Sequence, residues 1–270
     1  MVAGDAVPAR SWELARRCRE EALDLERQAD ERGLTLRVIG SLAVQLRSPT
    51  AGSLMEVLGR RPCADVDLLG YSRQQRKLEA MFQGGGWELD PIIRQAQEYG
   101  VKRLIYRHPA EGVKVDVFLD QLVMSHTIDF RGRLELDRPT VPLADLLLSK
   151  LQIQEVTEND LIDGLVLLAE HDLGDGGEET IELARVVGVL SSDWGFWRTA
   201  TGNLARLTEA IGRYAASLDA AAGELAAARA GALQRAIEAA PKSRRWRLRS
   251  VVGTRMAWYE EVGDVERGER

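Results

Sequence analysis

Residues 64–70 read ADVDLLG, and residues 113–119 read VKVDVFL. In both stretches aspartate interrupts a short run of strand-forming apolar residues. Side chains on a strand alternate with a period of two, so Asp65 and Asp67 leave the same face, about 7 Å apart along the chain. Two carboxylates at that spacing repel each other unless a cation lies between them. Asp116 stands in the middle of the second stretch. Hard oxygen donors on one face suit Mg²⁺ (or Mn²⁺), whose shell is completed by substrate phosphates and water. A third carboxylate from a neighbouring strand would let two ions be held together, the arrangement for in-line attack at phosphorus.

Upstream, residues 34–39 (LTLRVI) read as a strand that ends at Gly40-Ser41. Gly40 lets the backbone come close to a phosphate, and Ser41 adds a hydroxyl where a helix begins and anions are favoured. The following SLAVQLR is helix-compatible and stops before Pro49. Residues 49–63 carry Pro49, Gly52, Gly59 and Pro62 and read as loop, with one helical turn at 54–58.

Further out, Leu14, Cys18, Ala22, Leu25 and Ala29 recur at steps of three and four, predicting a helix over 11–32 that Gly33 stops. A polar helix is expected over 72–83, ending in Gly84-Gly85-Gly86. Strands are expected at 101–107 and 113–119, joined by the hairpin loop HPAEG, with short strands at 127–130 and 133–137. From Pro142 the pattern is helical to the end. PLADLLLSKLQIQ carries a first-turn proline, and NDLIDGLVLLAEH begins on an Asn cap. Beyond the GDGG linker at 174–177 the chain turns alanine-rich, which favours helix. We therefore expect an α/β core with an N-terminal helix over 1–140 and a helical region over 141–270. The latter divides into a helical pair near the site (141–176) and a bundle (177–270).

The chain has 270 residues, 45% hydrophobic and 29% charged, with a net charge of −6, a composition that excludes disorder and a disulfide scaffold. No stretch approaches the roughly 18 apolar residues of a membrane span. The N-terminus becomes charged before any apolar run, unlike a secretory signal. Cys18 and Cys63 show no spacing pattern, so a cytoplasmic protein with reduced thiols is expected. The three histidines are not at metal-ligand spacing, and Gly84–Gly86 lacks the lysine of a phosphate loop. Residues 242–249 (KSRRWRLR) carry five basic residues and no acidic one; they read either as a contact for RNA phosphates with Trp246 stacking a base, or as the solvated face of a terminal helix.

The order G-S, h-D-h-D-h, h-D-h resembles the nucleotidyltransferase superfamily of the DNA polymerase β type. Within it, the chain looks like the AbiEii-type abortive-infection toxins and related stand-alone nucleotidyltransferases. The likeness extends through DLLLSKLQI, with Lys150, and NDLID, with Asp160 and Asp163, and covers roughly residues 36–172. The Ser41-to-Asp65 interval is longer than that family's usual one. The resemblance implies an α+β fold, a mixed sheet flanked by helices, here followed by the α-helical C-terminal domain. It implies that Gly40-Ser41 holds the triphosphate of an NTP, that Asp65 and Asp67 ligate both metal ions, and that Asp116 ligates one and acts as or orients the general base. Lys150 would contact phosphate, and Asp160 or Asp163 would support the site. A lysine closing an apolar helix stripe also commonly snorkels to solvent, so Lys150 is read either way.

The reaction implied is transfer of a nucleoside monophosphate to an acceptor hydroxyl with release of pyrophosphate. The acceptor would be an RNA 3′ end such as that of tRNA, a protein, or a small molecule such as an aminoglycoside. The competing reading is a catalytically quiet module that keeps the fold as a toxin, antitoxin or regulatory component. A haloacid-dehalogenase phosphatase would need a Thr shortly after the second Asp, where Leu68-Leu69-Gly70 stands.

Overall fold

The computed structural model describes residues 9–97, 102–109, 112–177 and 179–261. The start of the N-terminal segment, the first residue of the strand expected at 101–107, two residues of the expected loop at 108–112, and the chain after 261 lie outside the described residues.

The fold is α+β. Its centre is a five-stranded mixed sheet in the order β1 (Leu36–Ile39), β2 (Val66–Gly70), β5 (Lys114–Leu119), β4 (Arg103–Arg107) and β3 (Glu88–Leu89). β2 and β5 run parallel, and the other neighbours are antiparallel. β5 buries five consecutive residues, Val115 to Leu119, as a strand covered on both faces must. Helix α1 (Ala9–Glu31) packs its apolar stripe of Cys18, Ala22, Leu25 and Ala29 against β1 and β2. α2 (Gly40–Arg47) leaves β1 directly and contacts both strands.

α2 also packs against α6 (Leu143–Leu151) and α7 (Glu158–Glu170), which brings the helical pair to the sheet. Every residue of α6 is buried, as expected of a helix apolar around most of its circumference. Its one acid, Asp145, is held by Arg133 at 2.7 Å and Arg185 at 2.9 Å. Beyond it follow α8 (Leu183–Ser192), α9 (Trp194–Tyr214), α10 (Ala220–Ala239) and α11 (Arg244–Val252), and one hydrophobic cluster runs from α1 through the sheet to Ile237 of α10. No described helix is long and apolar enough to cross a membrane.

Several local expectations differ from the structure. The 49–63 segment contains a seven-residue helix, α3 (Ala51–Val57), rather than one turn. Residues 133–137 are not a strand. Their apolar alternation is real, Leu134 being buried and Leu136 exposed, but the backbone turns through bonds from Arg133 N to Phe130 O and from Leu136 N to Arg133 O. The helix expected over 72–83 is present as α4 (Gln75–Gly84), which leads to β3, but α5 (Pro91–Gln97) follows β3 where no element is expected. The strand expected at 127–130 is present as β7 (Thr127–Asp129), and it pairs with an unexpected β6 (Gln121–Val123) in a hairpin. The helical C-terminal half is interrupted at the GDGG linker by a parallel pair, β8 (Asp172–Gly174) and β9 (Thr180–Glu182). The cap of α7 is Thr157, not Asn159. Thr157 accepts from Asp160 N while the Asp160 carboxylate accepts from Thr157 N, and this reciprocal box satisfies two donors that a lone Asn would not. Asn159 instead accepts from Arg61 N.

Candidate active site

Parallel pairing of β2 with β5 sets Asp67 directly beside Asp116. Directly paired residues of neighbouring strands point to the same face, so the two carboxylates meet. Asp65, in the bend before β2, joins them, and one oxygen from each of the three lies within 4.8 Å of the others. Burial, then the carboxylates of Asp65 and Asp116, push the Asp67 carboxyl up to about 8.

Asp116 is 1% exposed, with Oδ2 held by Arg103 at 2.6 Å and Lys114 at 3.1 Å. Its Oδ1 is buried with no hydrogen-bond partner among the described residues. A buried carboxylate oxygen without a donor is costly, and a bound cation or an acceptor hydroxyl is the kind of group that would satisfy it. Three hard oxygen donors, one with an orphaned lone pair and one whose carboxyl is raised by burial and then by its acidic neighbours, fit a divalent cation of the Mg²⁺ or Mn²⁺ type.

Gly40 packs against this trio. Its φ is +74°, and a Cβ built there would stand 2.6 Å from Asp67 Oδ2. Both the left-handed backbone and the close approach demand glycine. Gly40→Ala is therefore expected to lower the melting temperature and to displace the Asp67 carboxylate. Gly33→Ala is the control, because Gly33 has φ +66° with no atom within 4 Å of a Cβ. It carries only the left-handed penalty of about 1–2 kcal/mol. Equal losses in the two variants would show that the contact with Asp67 does not matter.

Ser41 links the trio to α6 and α7. Its Oγ donates to Asp163 Oδ2 at 2.6 Å and accepts from Lys150 Nζ at 3.1 Å. Lys150 Nζ also reaches Asp163 Oδ2 at 2.8 Å and Asp160 Oδ1 at 3.2 Å. Lys150 thus does not snorkel; it is buried among carboxylates. Burial alone would lower its pKa, but Asp163 and Asp160 outweigh that and raise it. Burial alone would raise Asp163, but Lys150 and Arg60 hold it at about 2.

A cleft of about 400 Å³ opens beside these groups, walled by Ser41, Asp65, Asp67, Thr157 and Asp160, by Arg60 and by residues 62–64. No protein-family model matches the chain, and no curated protein matches it. Among solved structures it is similar to an antigenic nucleotidyltransferase-like protein from Paracoccidioides brasiliensis. The match has 14% identity, covers 78% of this chain and 93% of that one, and has a TM-score of 0.38. So loose a likeness assigns no activity.

Arg60, Arg103 and Lys114 also belong to this site and are not singled out by motif. Lys114 is two residues from Asp116 on β5, so strand periodicity alone puts them on one face. Nothing local ties Arg60 to Asp163, 103 residues away.

The basic run at 242–249 straddles the start of α11. Lys242 donates to the last carbonyls of α10, and Arg249 lies over the Trp194 ring, 4.8 Å from its centroid. Trp246 packs edge-on against Trp197, while Arg244, Arg245 and Arg247 are exposed. His126 is buried, stacked on Phe196 and bonded to Thr199, and burial holds its pKa down at about 4. Cys18 and Cys63 are free thiols, both buried.

Proposed function

We propose that this protein is a metal-dependent nucleotidyltransferase, moving a nucleoside monophosphate from an NTP to an acceptor hydroxyl. The observation that carries the reading is the carboxylate trio packed against Gly40-Ser41, with Ser41, Asp65 and Asp67 lining one cleft. Asp65, Asp67 and Asp116 would hold Mg²⁺ or Mn²⁺, which when bound offsets the negative charge of the phosphates.

The chain's own groups divide the remaining work. Ser41 Oγ and the Lys150 ammonium face the triphosphate, and the backbone at Gly40 leaves room for it. Asp116 Oδ1 accepts the proton of the acceptor hydroxyl. The acceptor oxygen then forms its bond to the α-phosphorus as the bond to the bridging oxygen breaks. Pyrophosphate leaves with that electron pair, and the proton on Asp116 passes to solvent. In this reading residues 1–140 carry the catalytic face, and residues 141–176 supply Lys150, Asp160 and Asp163. The convergence of Lys150 and Asp163 on Ser41, with Asp160 on Lys150, supports the AbiEii-type likeness of the motifs. RNA, protein and small-molecule hydroxyls all satisfy this chemistry as acceptors, in the cytoplasm where NTPs and Mg²⁺ abound.

The test is incubation with each α-labelled NTP, Mg²⁺, and bulk cellular RNA or protein. Transferred label with pyrophosphate release is the expected result. Thermal stabilisation by Mg²⁺–NTP with no transfer to any acceptor would favour the quiet binding module, and neither effect would overturn both.

A further inference from the structure

The segment between α3 and β2 makes the Ser41-to-Asp65 interval long, and it buries one charged side chain. Arg60 has a side chain only 5% exposed. Its guanidinium forks onto Asp163, Nε to Oδ1 at 2.6 Å and Nη2 to Oδ2 at 3.0 Å, while Nη1 donates to the Arg61 carbonyl. On its other side Asp163 takes Lys150 and Ser41. Lys150 and Arg60 against Asp160 and Asp163 make an electrically neutral group. Within it Asp163 has two cations, and one is enough to balance it.

The two cations are not equivalent. Arg60 is a planar fork with its donors committed to fixed partners. Lys150 is a compact ammonium on a flexible stem, its contacts spread over Ser41, Asp160 and Asp163. If one cation is to turn toward an incoming anion, it is the lysine. It can leave only if Asp163 keeps a counter-charge, because a buried carboxylate stripped of its last cation carries an uncompensated desolvation penalty.

We propose that Arg60 is a positioning residue of the nucleotide site: by balancing Asp163 on its own, it frees the Lys150 ammonium to engage the triphosphate. This rests on the nucleotidyl-transfer reading above. Without Arg60, Lys150 becomes the one cationic partner of Asp163 among the described residues and is locked to it. The binding-competent fraction falls, and apparent affinity falls in proportion.

Calorimetric titration with each Mg²⁺–NTP and with inorganic tripolyphosphate tests this on wild type, Arg60→Gln, Arg60→Lys and the double variant Arg60→Gln/Asp163→Asn. The glutamine variant keeps Lys150 as counter-charge to Asp163 and is expected to fold but to bind at least about tenfold more weakly. The lysine variant, charged but unable to fork, is expected between it and wild type. The double variant removes the carboxylate that traps Lys150 and is expected to recover much of the lost affinity. A merely structural role for Arg60 predicts no such recovery. Wild-type affinity in Arg60→Gln, or a double variant no tighter than Arg60→Gln, overturns the proposal. Should Arg60→Gln not fold, wild-type affinity in Arg60→Lys does so.

If the wild-type chain binds neither NTP nor tripolyphosphate, the transfer reading fails, and reductive methylation of Lys150 followed by mass spectrometry decides this one. Slower modification in Arg60→Gln (or Arg60→Lys) and restored modification in the double variant support it. Equal rates overturn it.

Discussion

Asp67→Asn is expected to raise the melting temperature of the metal-free protein while reducing nucleotidyl transfer by at least about two orders of magnitude. The two effects come from one carboxylate. Without a cation, Asp67 sits against Asp65 and Asp116, and its carboxyl is pushed up to about 8 by burial and those neighbours. Below about pH 4 it is protonated in both folded and unfolded chains and has no effect on the balance. As pH rises from there to 8, the folded chain holds a proton that the unfolded chain has lost. Stability therefore falls with pH, by at most about 1.4 kcal/mol per unit, and levels off above 8. Asparagine never ionises, so the advantage of the variant should vanish near pH 4, grow through neutrality and saturate above pH 8. Mg²⁺–NTP should raise the melting temperature of wild type and leave the variant unmoved. Scanning fluorimetry from pH 4.5 to 8.5, with and without Mg²⁺–NTP, reads all of this. A variant less stable than wild type at every pH would make Asp67 a structural carboxylate and remove it from the proposed metal site.

Those carboxylates were legible because strand chemistry is local. Alternation puts Asp65 and Asp67 on one face, and apolar flanks mark β2 and β5 as interior strands. That β2 and β5 are neighbours, so that Asp67 lies beside Asp116, is a matter of topology, and their sequence permits it without requiring it. Gly40 was legible as a glycine at a turn, but the contact of its missing Cβ with Asp67 needs both chain segments in place. Short elements escaped for a related reason. The two residues of β3 are a strand only because Glu88 and Leu89 pair with Arg107 and Tyr106. At the start of α7, Thr157 and Asn159 are both good caps, and the choice falls to Thr157 because Asp160 returns its bond. Arg60 is the extreme case. A basic residue in a Gly/Pro-punctuated loop reads as solvated, and only the folded chain shows it committed to a carboxylate that no water reaches.

Asp163→Ala is expected to be the most destabilising single change in the site. Asp163 is fully buried, and it accepts from Arg60, Lys150 and Ser41 together. Removing it leaves the Arg60 guanidinium, itself almost fully enclosed, with no carboxylate partner in the described structure, while Lys150 keeps Asp160. Breaking a buried pair in this way costs about 3–5 kcal/mol, enough to lower the melting temperature of a chain this size by roughly 10 °C. Lys150→Met should cost less, because Arg60 still balances Asp163. The pH dependence separates this cause from simple loss of packing. Burial alone would raise Asp163, but Lys150 and Arg60 more than offset it and hold the folded-state pKa at about 2, below the unfolded value near 4. Its contribution is therefore present above about pH 4 and lost as pH falls through 2. Once protonated, the wild-type carboxyl leaves Arg60 as poorly balanced as alanine does. The stability difference between wild type and Asp163→Ala, followed by circular dichroism during acid titration, should be full at pH 7 and shrink steadily below pH 4. A difference that stays constant down to pH 2.5 would mean that the side chain stabilises by filling space, and that the buried charges are balanced elsewhere.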